Sequence, residues 1–209
     1  MRNLNTIDAL VADLVPVRRV SPRDGMLITL GLAVVVVTVV TLLFGLRDDI
    51  AAGHPAPIVV LRSGALLLLG FAAALAATES AQPAVGAESN GWPWALGAAL
   101  LFPVSATILV IYEGALPYSD FGGLNCLGIS LASALVVGAG LTSWLRPGAS
   151  VAPERVGWLV GLAAGAFGTF AYSCHCPSES IYYIGLWYSL AVAISAALGR
   201  LIVPRLIRW

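Results

Sequence analysis

Six stretches of this chain are long and apolar enough, as helices, to cross the hydrocarbon core of a bilayer. They are Met26–Leu46, Ile58–Ala77, Trp92–Tyr112, Cys126–Leu145, Val156–Tyr172 and Ile181–Gly199, and Arg62 is the one charge inside any of them. A helical crossing takes about 20 residues. Strands cross membranes only as closed barrels, whose sequences alternate polar and apolar positions. The valine-rich run Leu32–Val40 has no such alternation, and in lipid a helix satisfies its own backbone without a partner. Composition agrees: charged residues are 11% of the chain, where a water-soluble domain of this size carries roughly a quarter. The sequence therefore predicts an all-α integral membrane protein, a six-transmembrane-helix bundle preceded by a short N-terminal helix. The first run follows 25 mostly polar-interrupted residues and reads as a span, not a cleaved leader.

Arginine placement predicts the orientation. Arg2, Arg18, Arg19, Arg23, Arg146, Arg155, Arg200, Arg205 and Arg208 fall on one side of an alternating six-span path, and only Arg47 and Arg62 belong to the other. By the positive-inside rule both termini are cytoplasmic. Arg62 is expected to snorkel outward and pair with Asp48 or Asp49. The 11 arginines are balanced by 11 acids and no lysine is present, which speaks against direct nucleic-acid binding through bulk positive charge. In the fifth span Gly157, Gly161 and Gly165 recur four apart. Such a small-residue face admits another helix closely, either within the chain or in an oligomer.

The same path places all three cysteines and both histidines on the outer side. Cys126 starts the fourth span and Cys174-His175-Cys176 follows the fifth. Antiparallel neighbours bring Cys126 within reach of Cys174 or Cys176, and in an oxidising compartment a reversible disulfide is reasonable chemistry. The alternatives are a transiently bound soft metal ion held by Cys126, Cys174, His175 and Cys176, with His54 as a further imidazole donor, or inert, purely structural cysteines. At the N-terminus Asn5 and Asp8 suit a helix start. Ile7, Leu10, Val11 and Leu14 then form one apolar stripe, Pro16 ends the helix, and Arg18-Arg19 follow. An interfacial helix normally carries basic residues on its polar face. This one carries Asp8 and Asp13, which favours a protein partner for residues 1–25. No phosphate loop, zinc-protease motif or nucleophile elbow is present, so the chain does not read as an enzyme. A small transporter or a membrane thiol-redox protein is the rival class.

Several of these segments together resemble the NrsF family of bacterial membrane anti-sigma factors. They are Asp8-Ala9-Leu10-Val11-Ala12-Asp13-Leu14-Val15-Pro16-Val17-Arg18-Arg19, Asn125-Cys126-Leu127, His175-Cys176-Pro177, Trp187-Tyr188 and Arg208-Trp209. The resemblance implies an inner-membrane protein that holds an extracytoplasmic-function sigma factor inactive. It implies a sigma-binding tail at Ile7, Asp8, Leu10, Val11, Leu14, Arg18 and Arg19, with residues 26–209 as the transmembrane sensor. It also implies Cys126 and Cys176 as the pair that senses oxidant or heavy metal and releases the sigma factor.

Overall fold

The computed structural model describes residues 21–82, 122–148 and 150–207, together with Gly97, Leu100, Pro103, Val104, Thr107, Ile108 and Ile111. Every regular element among these is helical. Helix α1 covers Pro22–Phe44, the single turn α2 Asp48–Ala51, α3 Pro57–Ser80, α4 Gly122–Leu145 and α5 Pro153–Ser173. Helix α6 runs over Ile181–Ile207 and contains a π-helical stretch, Ile184–Tyr188. Five of these helices (α1, α3, α4, α5 and α6) are long and apolar enough to cross a membrane. The third run has helical residues at each of its described positions. Its expected start at Trp92, like the N-terminal helix expected between Asn5 and Pro16, lies outside the described residues.

Backbone chemistry sets the ends of these helices. Proline opens α1, α3 and α5 in the first turn, where its missing N–H costs nothing and its φ suits a helix. Gly45 ends α1 with φ +89° and donates its N–H to the Thr41 carbonyl, a conformation that favours glycine. Several boundaries differ from the hydropathy reading, α4 among them, which begins at Gly122, four residues before Cys126. Helix α1 begins at Pro22, four residues before Met26, and α6 continues eight residues past Gly199 to Ile207, through Arg200 and Pro204. Charge ends an apolar run in the sequence, but it does not end a hydrogen-bonded helix that has reached the interface.

Helix α5 is the hub, in contact with α3, α4 and α6. Of its most apolar window 83% is buried inside the chain, against 22–39% for the other four spans. Its glycines explain the closeness. A Cβ at Gly157 would come 2.7 Å from the Gly199 carbonyl oxygen, one at Gly161 2.7 Å from the Ala196 Cα, and one at Gly165 2.9 Å from the Val192 Cα, all on α6. Gly168 does the same against α4, 2.7 Å from the Ala134 backbone nitrogen. The ladder is thus occupied within the chain, the first of the two expected uses. The outward faces of α1, α4 and α6 carry Leu27, Val34, Leu42, Leu135, Leu190 and Leu201, all exposed. That is the surface of a membrane protein, apolar where lipid would lie.

The ends of the helices sort into two groups. The start of α1 lies against the ends of α3 and α4, where a Cβ on Gly25 would meet Thr78 and Trp144 at 2.5 and 2.7 Å. Helices α3 and α4 therefore run parallel. At the opposite end the Arg47 amide after α1 donates to the Cys174 carbonyl after α5. This cysteine end gathers the candidate chemistry.

Candidate thiol site at one end of the bundle

After Ser173 the chain leaves α5 and returns to α6 through Cys174–Ser180. The first step is a tight turn in which the His175 and Cys176 amides both donate to the Tyr172 carbonyl, at 2.9 and 3.0 Å. A helix C-terminus leaves carbonyls without partners and carries partial negative charge, and here two arginines supply the donors. Arg62 of α3 donates Nη1 to the Ser178 carbonyl (2.5 Å) and Nη2 to those of Ser173 (3.1 Å) and Cys176 (3.0 Å). Arg47 donates Nη1 to the same Cys176 carbonyl (2.8 Å), Nε to Asp49 (2.6 Å) and Nη2 to Glu179 (2.5 Å). The expected outward reach of Arg62 toward Asp48 or Asp49 is overturned. Arg62 is 0% exposed with its guanidinium 5.7 Å from the Tyr188 ring centre, and Asp49 is bound by Arg47. The five donors of one guanidinium let it serve three carbonyls of this stretch at once.

The turn holds Cys176 over Cys126. Both are essentially fully buried, and they share one cluster with Leu66, Leu69, Tyr172, Tyr183 and Tyr188. The three tyrosines line the pocket around the thiols, and the Tyr188 hydroxyl is buried without a hydrogen-bond partner among the described residues. All three cysteines are free thiols in this structure. Cys174 is not among the residues of that cluster. Its Sγ lies 3.5 Å from the Phe170 carbonyl oxygen, and burial pushes its thiol above the usual cysteine range, which lowers its thiolate fraction. His175 is placed by Gly45, whose carbonyl is 3.2 Å from Nδ1, and by the rings of Phe44 and Tyr172. Among the described residues no three His, Cys, Asp or Glu side chains are gathered as a bound metal ion would require. Residues Ile7, Asp8, Leu10, Val11, Leu14, Arg18 and Arg19 lie outside the described residues.

Over residues 10–209 the chain matches the family described as negative regulator of sigma F. It belongs to the NrsF family. It is 31% identical over 173 residues, 80% of both chains, to a protein of Azospira oryzae named probable anti-sigma-F factor NrsF. It is 28% identical over 219 aligned positions, 100% of both chains, to the anti-sigma-F factor NrsF of Caulobacter vibrioides. No solved structure matches it. A member of this family is by that description a regulator.

Sequence reasoning placed the thiols of this NrsF chain but missed what surrounds them. Tyr172, Tyr183 and the inward role of Arg62 are seen only in the fold. The available signal was an arginine inside a span combined with tyrosines five apart at 183 and 188, one just before the π-helical stretch and one at its end. Such stretches mark functional positions in many helices.

The Arg47 clamp also predicts an acid response. Arg47 holds the Asp49 carboxyl below the usual carboxylate range, through its hydrogen bond first and its charge second. A lowered folded-state pKa means a contribution fully present at neutral pH and lost as pH falls through that lowered value. Thermal stability of the detergent-purified protein should drop on acidification below about pH 4. Asp49→Asn should be less stable at neutral pH and should show a flatter profile in that acid range. An unchanged profile in Asp49→Asn would assign the acid response to other carboxylates.

Proposed function

We propose that this chain is a membrane-bound anti-sigma factor of the bacterial inner membrane, with both termini in the cytoplasm. It sequesters an extracytoplasmic-function sigma factor through residues 1–25. Residues 26–209 form the sensor, which releases the factor when oxidant or heavy metal reaches Cys126 and Cys176. Membership of a family of negative regulators of sigma F supports the partner. A six-crossing path is supported by α3 and α4 running parallel, since one further crossing between them restores alternation. The arginine distribution supports the orientation, with nine of 11 on one side of that path.

The observation that carries the sensing step is the shared burial of two free thiols under a clamped turn at the end of the bundle. Joining them as a disulfide would pass two electrons to the oxidant and release two protons, and it would tie the start of α4 to the end of α5. Moving the partner from mostly bound to mostly free takes a differential of about 3–5 kcal/mol, within reach of one disulfide or metal-ligation event. Cys126→Ser and Cys176→Ser should each leave the protein inserted and its sigma factor bound, but abolish release on oxidant or cadmium. Co-purification from stressed and unstressed membranes reads this directly. Normal release in both mutants would reduce the cysteines to packing, and absence of any sigma factor beside a measurable flux or thiol turnover would favour a transporter or redox protein.

A further inference from the structure

Resting on the thiol-sensing reading, we infer that Arg62 is the positioning residue of the site. Its guanidinium latches the Ser173–Ser178 turn shut over the pocket that Cys176 shares with Cys126. Arg62 is fully buried, yet among the described residues its hydrogen bonds go to no carboxylate. Asp49 and Glu179, two of the acids of this end, are both bound by Arg47. A buried cation without a partner is strongly unfavourable. The compensation consists of three backbone carbonyls and one ring face: Ser173, Cys176, Ser178 and Tyr188. Its Nε is buried without a partner among the described residues.

All three carbonyls belong to one six-residue segment. Two of them, Cys176 and Ser178, lie beyond the end of α5 and are available to Arg62 only in the closed arrangement, so opening the turn would leave the buried cation with the Ser173 carbonyl and the ring alone. That dependence makes the turn two-state, either closed with Arg62 satisfied or open with Arg62 stranded. The closed form is also the one that buries Cys176. The contacts form a circuit, since Arg62 bonds the Cys176 carbonyl and faces Tyr188, which packs in the same buried cluster as Cys176. Arg47 bonds the Cys176 carbonyl from the surface and carries its own acids, so it supports the closed turn without depending on it in the same way.

The test labels the full-length protein in native membranes with N-ethylmaleimide and follows each cysteine by mass spectrometry. Arg62→Met keeps the length of the side chain and removes the charge and its donors. It should raise the labelling rate of Cys176 about tenfold or more, because each charge-assisted hydrogen bond lost is worth about that factor in the opening equilibrium. Cys126, inside α4, should stay protected. Arg62→Lys keeps the charge but cannot span three carbonyls, so it should give an intermediate rate, and it carries the same test should Arg62→Met fail to insert. Unchanged Cys176 labelling in both variants would overturn the latch. So would an equal rise at Cys126, which would mean that the whole bundle had loosened. Faster Cys176 labelling together with normal stress release in Cys176→Ser would uphold the latch and remove the sensing reading instead.

Discussion

Gly161→Val is expected to cost this bundle about 3 kcal/mol or more, the upper range for overpacking a tight interior, with most of the protein lost from the folded fraction in detergent. The reason is what the added atoms would meet. A Cβ at Gly161 would lie 2.7 Å from the Ala196 Cα and 3.0 Å from its carbonyl oxygen, and backbone inside a helix has no rotamer by which to retreat. Helices α5 and α6 would have to separate along their whole seam, because Gly157 and Gly165 hold the same close approach one turn away on either side. Gly31→Ala is the control, since a Cβ there meets nothing within 4 Å, and it should leave stability unchanged or slightly raised through helix propensity. Thermal aggregation of detergent-purified variants measures both. A Gly161→Val protein as stable as the parent would mean that the α5–α6 seam is not as close as described.

Replacing Leu10 and Leu14 together with aspartate is expected to abolish retention of the sigma factor while leaving membrane insertion intact. Both lie on the apolar stripe Ile7–Leu10–Val11–Leu14. Twenty-five residues cannot bury a core of their own, so the stripe needs a surface supplied by something else. The helix that this spacing predicts would carry Asp8 and Asp13, which anionic lipid headgroups would repel. A helix laid into an apolar groove of a partner loses affinity steeply when its anchors become charged, and a loss of at least 100-fold, about 2.7 kcal/mol, is the expected scale. The measurement is the sigma factor recovered per inserted molecule after affinity capture. Full recovery from the double mutant would place the stripe on the membrane and move the partner site elsewhere on the cytoplasmic face.

Much of this protein is determined by local sequence alone. Five of the six apolar runs are described as helices, because in lipid an uninterrupted apolar stretch has no other way to satisfy its backbone. Pro22, Pro57 and Pro153 start three of them for reasons of φ and a missing N–H that act residue by residue. The pairing of Cys126 with the Cys174–Cys176 segment at one end was likewise legible, since it follows from alternation between consecutive helices.

What only the tertiary structure decided is which face meets which. Hydropathy ranks α5 as one span among several, but its glycines against the α6 backbone and Gly168 against α4 make it the buried centre of the chain. Arg62 shows the same limit at a single residue. Sequence distance to the interface predicts a snorkelling cation, because snorkelling requires only its own chain length. Its actual partners, the carbonyls of Ser173, Cys176 and Ser178, lie more than 100 residues away in sequence. They become available only when the α5 terminus turns toward α3, so their orphaned lone pairs, and with them the closed thiol pocket, are properties of the assembled bundle.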